Sequence, residues 1–211
     1  MPDLIVFDLD GTLIDSLRDL AAAINATRNM FGLKPLSVET VTACVGNGVK
    51  VLIQRAFTDA PEVGFDVALE RYSQYYATHL TVHTRLYPGV AEGLKKMHDR
   101  GIKLAVVTNK PSAAAKVILT ELQVADHLDA VCGGDAGVPL KPAPDMLLLF
   151  KERFKARECW MIGDHYTDLE AGRRAGFRRG FARYGFGDPR EEVPDFTLDS
   201  FSDLVFLALK N

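Results

Sequence analysis

The chain has 211 residues, 47% of them hydrophobic and 25% charged. That length and balance fit a globular protein with one large domain or a core plus a small insert, and exclude disordered and fibrous classes. Twenty-five Lys and Arg against 28 Asp and Glu leave a net charge of −3, with no basic excess for nucleic acid. No apolar run approaches the ~20 residues of a membrane helix, so no membrane partner is expected. Cys44, Cys132 and Cys159 lie far apart without a CxxC pair, as in a reducing setting. MPDLIVFDLD lacks the basic start of a signal peptide. A cytoplasmic chain, monomeric or homodimeric, is expected.

Leu4-Ile5-Val6-Phe7 is a short continuous apolar run, the pattern of a strand buried on both faces. It stops at Asp8-Leu9-Asp10-Gly11-Thr12. After Asp15-Ser16, both good N-cap types, helical patterns follow one another over 16–31, 37–44, 49–58 and 64–80. No strand intervenes, and Gly46-Asn47-Gly48 breaks the series. Tyr87-Pro88-Gly89 marks the return to mixed character. Further apolar runs lie at Ile102 to Val107, Leu128 to Cys132 and Cys159 to Ile162, with a weaker one at Phe181-Ala182. A helix opens at Pro111-Ser112 and runs to about Leu122. Short apolar strands alternating with helices predict a doubly wound, Rossmann-like α/β sheet. The expected division is a core of residues 1–14 and 86–211, interrupted after its first strand by an all-helical cap of residues 15–85.

In an open parallel sheet, sites form beyond the carboxyl ends of the strands. The first strand is followed by Asp8 and Asp10, the second by Thr108, Asn109 and Lys110. The third leads to Gly133-Gly134-Asp135 and then Lys141-Pro142; the fourth is followed by Asp164 and Asp168. Two carboxylates ~4 Å apart repel by about 4 kcal/mol at an effective dielectric near 20. Several together need protons or a cation, and an oxygen-rich set suits Mg²⁺. A hydroxyl and an ammonium beside them suit a phosphoryl group. The set therefore reads as phosphoryl chemistry, in which one Asp attacks phosphorus and another handles the proton. Lys110 reads as a solvated lysine, and Gly46-Asn47-Gly48 reads equally as a plain turn.

Asp8-Leu9-Asp10-Gly11-Thr12-Leu13, Thr108-Asn109, Lys141-Pro142 and Gly163-Asp164 with Asp168 resemble the four motifs of the haloacid dehalogenase superfamily of phosphohydrolases. Val45-Gly46-Asn47-Gly48, Gln54-Arg55-Ala56, Leu86 to Val90, Gly133-Gly134-Asp135, Lys141 to Pro144 and the stretch from Arg183 resemble the bacterial phosphoglycolate phosphatases within it. The resemblance implies Asp8 as nucleophile and Mg²⁺ ligand. It implies Asp10 as general acid/base, with its backbone carbonyl on the metal. Asp164 would ligate Mg²⁺, with Asp168 close by or bound through water. Thr108 and the Asn109 backbone N–H would hold phosphate oxygens, Lys141 would neutralise the phosphate and Asp8, and Gly46, Asn47 and Arg55 of a mobile cap would read the rest of a small phosphorylated metabolite, 2-phosphoglycolate first. His165 departs from the small hydroxylic residue usual after Asp164; it could reach the metal's outer shell or a substrate carboxylate. The alternatives are another small substrate (sugar phosphate, nucleoside monophosphate or pyrophosphate), a phosphomutase, or a non-enzymatic phospho-aspartate signalling module.

Overall fold

The computed structural model describes residues 1–210. Strand β1 (Leu4–Phe7) is followed by the two-residue β2 (Ile14–Asp15) and then four helices. These are α1 (Leu17–Met30), α2 (Val38–Thr42), α3 (Val49–Ala56) and α4 (Phe65–Ala77). Strand β3 (Arg85–Leu86) closes the helical stretch, and the α/β alternation resumes. It runs through α5 (Val90–Asp99), β4 (Lys103–Val107), α6 (Ser112–Glu121), β5 (Ala130–Cys132), α7 (Asp145–Phe154) and β6 (Cys159–Gly163). It ends with α8 (Tyr166–Ala175), β7 (Arg178–Ala182), β8 (Phe196–Leu198) and α9 (Phe201–Leu209).

The main sheet has the order β5-β4-β1-β6-β7-β8, and every pair in it is parallel. The expected fold class, a Rossmann-like α/β core with an inserted helical cap, stands. β1 is central and buried on both sides, which is why its run is apolar at every position. Ile5 and Phe7 join one core cluster and Leu4 and Val6 the other, as the two-residue period of a strand requires. β8 and the β2–β3 ribbon are additions that no apolar run announces; two of these three strands have only two residues. The weak run at Phe181-Ala182 is the end of a five-residue strand whose first two residues are arginines.

The helical insert packs on the first cluster. Leu20, Leu52, Tyr72 and Leu80 share it with Ile5, Phe7 and Ile162. Its two chain crossings run as the antiparallel ribbon β2–β3, with Asp15 opposite Arg85. Asp19 stitches the same place from inside: its buried carboxylate accepts from the amides of His83 and Thr84 and from the Thr84 hydroxyl, at 2.8–3.0 Å. Arg28, also buried, braces the insert by donating to the carbonyls of Lys34 and Ala56 and to both oxygens of Asp59. Among the described residues no helix is long and apolar enough to cross a membrane.

Candidate active site

Asp8 follows β1, and its amide still donates to Ile162 of β6 at 2.9 Å. The chain then turns over Leu9, which is fully buried and whose carbonyl accepts from the amides of Thr12, Leu13 and Ile14. Asp8 and Asp10, on alternate sides of Leu9, both line one cavity. Gly11 sits in the left-handed region at φ 83°, and a Cβ there would collide with the Asp164 carboxylate. Glycine is therefore needed twice at this turn, for its backbone and for the close approach of β6's end.

Asp8, Asp164 and Asp168 each offer an oxygen within 4.8 Å of the others. Lys141 Nζ lies 2.7 Å from Asp8 Oδ1 and 2.7 Å from Asp168 Oδ1, and also donates to the Val107 carbonyl at 2.7 Å. Burial pushes the Asp8 carboxyl up to about 6, against the pull of Lys141. Burial, with Asp8 and Asp168 beside it, pushes Asp164 well above the usual carboxylate range. This happens although Asp164 Oδ2 accepts from the amides of Phe186 and Gly187 at 3.1 and 2.8 Å. Lys141 is itself opposed by burial, but Asp168 and Asp8 outweigh it and hold its ammonium charged.

Asp10 has a separate neighbourhood. Ser16 Oγ donates to its Oδ1 at 2.5 Å, and Lys110 Nζ reaches both its oxygens at 2.9 Å. Lys110 is thus not the solvated lysine its position suggested. It is buried, lies 5.0 Å from the centroid of the Tyr76 ring, and Asp10 raises its pKa against the cost of burial. Nothing in a lone Lys after Asn109 signals this, because its partner is 100 residues away.

Two ammoniums therefore face four carboxylates, Asp8, Asp10, Asp164 and Asp168. The cluster is short of positive charge, and desolvated acids of this kind are stable together only with protons or a cation. Asp168 Oδ1 is buried against the Lys141 ammonium at 2.7 Å. The all-oxygen set of Asp8, Asp164 and Asp168, with oxygens within 4.8 Å of one another, fits a hard divalent cation.

The expected substrate contacts divide. Thr108, Asn109, Gly46 and Arg55 line the cavity beside Asp8 and Asp10. The Thr108 hydroxyl accepts from the Lys110 amide at 3.2 Å and donates to nothing among the described residues, so its proton is available to an anion. Asn109's side chain is committed elsewhere: it exchanges hydrogen bonds with the Lys141 backbone at 3.0 Å each way and donates to the Gly46 carbonyl at 3.2 Å. It is a positioning residue whose amide holds Lys141 and the cap loop in place. Asn47 is not on the cavity wall; its Nδ2 donates to the Tyr166 hydroxyl at 2.8 Å. Lys141 and Asp168 lie behind the wall, at 3% and 0% exposure. The Lys141 ammonium meets the cavity through Asp8 and would exchange a present partner to touch phosphate.

His165 is the N-cap of α8. Its ring accepts from the Thr167 amide while Asp168 Oδ2 accepts from the His165 amide, a reciprocal capping box. Burial holds its pKa down at about 4, so at neutral pH the ring carries no charge to offer a substrate carboxylate. Gly46, at φ 106°, is pressed against it: a Cβ there would lie 2.7 Å from the ring. Asp188 and Arg190, which no motif singled out, also line the cavity.

Residues 5–182 match the haloacid dehalogenase-like hydrolase family. The chain belongs to the haloacid dehalogenase-like hydrolases. The phosphatase class read from its motifs stands with that membership. Among its relatives, the phosphoglycolate phosphatase of Aquifex aeolicus is 36% identical, over 96% of this chain and 95% of its own length. That of Chromobacterium violaceum is 37% identical, over 98% and 96%. A crystal structure of a predicted phosphoglycolate phosphatase from Haemophilus somnus superposes with a TM-score of 0.92 at 32% identity, covering 97% of both chains. The haloacid dehalogenase-like fold thus accounts for both the sheet and the helical insert.

Proposed function

We propose that this haloacid dehalogenase-like phosphatase hydrolyses 2-phosphoglycolate to glycolate and phosphate through a phosphorylated Asp8, with Mg²⁺ held by Asp8, Asp164 and Asp168. The observation that carries the reaction is the carboxylate cluster at Asp8. One Asp8 oxygen is fixed by Lys141 at 2.7 Å, leaving the other for attack on phosphorus. The substrate is supported by the near-full-length similarity to proteins named phosphoglycolate phosphatase.

A bound Mg²⁺ supplies neutralisation of the phosphate charge in the transition state. The chain's own groups do the rest. The Thr108 hydroxyl donates to a phosphate oxygen and orients the ester. The free Asp8 oxygen forms a bond to phosphorus as the bond from phosphorus to the glycolate oxygen breaks, and Asp10 gives that oxygen its proton. Asp10 then takes a proton from the water that attacks phosphorus. The bond from phosphorus to Asp8 breaks, restoring the carboxylate, and phosphate leaves. Lys110 and Ser16 hold Asp10 for both transfers. The cap walls the cavity with Leu20, Leu52 and Leu80, limiting the water that can reach the intermediate.

A second reading has its own observation. The cavity measures about 660 Å³, and Leu20, Val49, Leu52, Tyr72 and Leu80 make one side apolar, which accommodates a leaving group bulkier than glycolate. Steady-state kinetics on 2-phosphoglycolate, sugar phosphates, nucleoside monophosphates, pyrophosphate and an aryl phosphate separate the two. The highest kcat/KM is expected for 2-phosphoglycolate, and a large margin for any other ester overturns that substrate.

A further inference from the structure

Two guanidinium groups face the cavity without a carboxylate partner. Arg55, on α3 of the cap, reaches only the Ala43 and Cys44 carbonyls, at 3.4 and 3.5 Å. The Arg190 side chain makes no hydrogen bond or ion pair among the described residues and lies with Cζ 3.9 Å from the centroid of the Tyr166 ring. The ring face supports the cation and leaves the in-plane N–H donors exposed. Arg190 is held there deliberately. Its backbone is in the left-handed region at φ 50°, unfavourable for a residue other than glycine. Its amide donates to Asp188 Oδ1 at 2.8 Å, and the Asp188 carbonyl accepts from the Tyr166 amide at 2.9 Å. The turn is therefore pinned to the start of α8, two residues beyond Asp164.

The same ring joins the two domains, since the Tyr166 hydroxyl accepts from Asn47 in the loop that leads into α3. Arg190 thus comes from the core and Arg55 from the cap element beside that contact, and both line the cavity that holds Asp8. Among the described residues neither of the other acids on this wall forms an ion pair: Asp188 accepts from the Arg190 amide, and Glu39 stands in the first turn of α2. A substrate with a second anionic group would be repelled by the carboxylates at the phosphorus end. Planar guanidiniums lining the same cavity are the donors that match a carboxylate.

We propose that Arg190, together with Arg55 of the cap, binds the carboxylate of the substrate and makes the enzyme select phosphate esters of hydroxy acids. This rests on the reading of the site as a hydroxy-acid phosphatase. The test compares 2-phosphoglycolate with ethyl phosphate, which has a methyl group in place of the carboxylate, in the wild type and in Arg190→Gln, Arg190→Lys and Arg55→Gln. Arg190→Gln should lower kcat/KM for 2-phosphoglycolate about 10- to 100-fold, the value of a lost charged hydrogen bond, chiefly through KM. Activity on ethyl phosphate should stay within about twofold, Arg190→Lys should recover part of the loss, and Arg55→Gln should act in the same direction. Equal losses on both esters, or no loss on either, overturn the clamp. The wild-type ratio of the two esters tests the substrate reading by itself. If that ratio is near one, 3-phosphoglycerate against glycerol 3-phosphate reads the clamp instead, and an acid preference unchanged by Arg190→Gln overturns it.

Discussion

Asp8 and Asp10 stand two residues apart and meet opposite surroundings. Asp8 is packed with two further acids and one lysine; Asp10 is held by a lysine and a serine of its own. The proposed division of labour follows: Asp8 as nucleophile, Asp10 as proton carrier. Asp8→Asn should abolish turnover in a phosphate-release assay, an amide being a poor nucleophile. Asp10→Asn should lose most of kcat yet keep the thermal stabilisation given by Mg²⁺, because the acid cluster survives; full activity would refute its role in proton transfer. A pH effect belongs to the same residues. Asp8 titrates near 6 in the folded chain against an ordinary 3.8, so the cation-free fold binds that proton more tightly than the unfolded chain. Stability of the cation-free protein should therefore fall as pH rises from about 4 to about 6. Saturating Mg²⁺, worth about 2.7 kcal/mol at 100 times Kd, should raise the melting temperature more at pH 7 than at pH 5. The reverse order in melts with and without EDTA would contradict this. Asp8 and Asp164 were legible because they end apolar runs. Lys110, Asn109 and Arg190 were not, because what defines each is a partner remote in sequence or a ring it rests on.

At the scale of elements, the cap is tied to the core at two places of different character. The β2–β3 ribbon and Asp19 form the covalent side. Asp19→Ala would leave the buried Thr84 amide and hydroxyl without their acceptor, costing about 3 kcal/mol in chemical denaturation; a cost below about 0.5 kcal/mol would show that the stitch does not hold the insert. The loop at Gly46-Asn47 is the other side, touching His165, Tyr166 and Asn109 without covalent linkage. Gly46→Val, which would put a β-branched side chain at φ 106° and bulk against the His165 ring, should raise KM several-fold and lower the melting temperature. An unchanged KM would mean that this contact plays no part in binding. The helices of the insert were legible from their 3.6-residue pattern, and their ends came within about three residues. The ribbon was not, since two-residue strands carry no period. The Gly46 loop read equally as a turn and as a recognition loop, and its contact with α8, remote in sequence, was not legible.

Across the whole molecule, the sheet order places β1 between β4 and β6. That order, a product of right-handed crossovers, brings the ends of strands about 100 and 155 residues apart in sequence to one edge. Alternating apolar runs reveal that a parallel sheet exists; the convergence of Asp8, Thr108 and Asp164 follows once β1 is central. The site's charge is what the sequence conveys least, because desolvation depends on the cap helices closing over one end of the sheet. The central claim is that Asp8 carries the phosphoryl group between ester and water. Rapid acid quench of Asp10→Asn and wild-type protein turning over 2-phosphoglycolate with Mg²⁺, followed by borohydride reduction and peptide mass spectrometry, reads this directly. Conversion of Asp8 to homoserine, absent without substrate, is the predicted result; phosphate release with no modification at Asp8, or with turnover intact in Asp8→Asn, would contradict it.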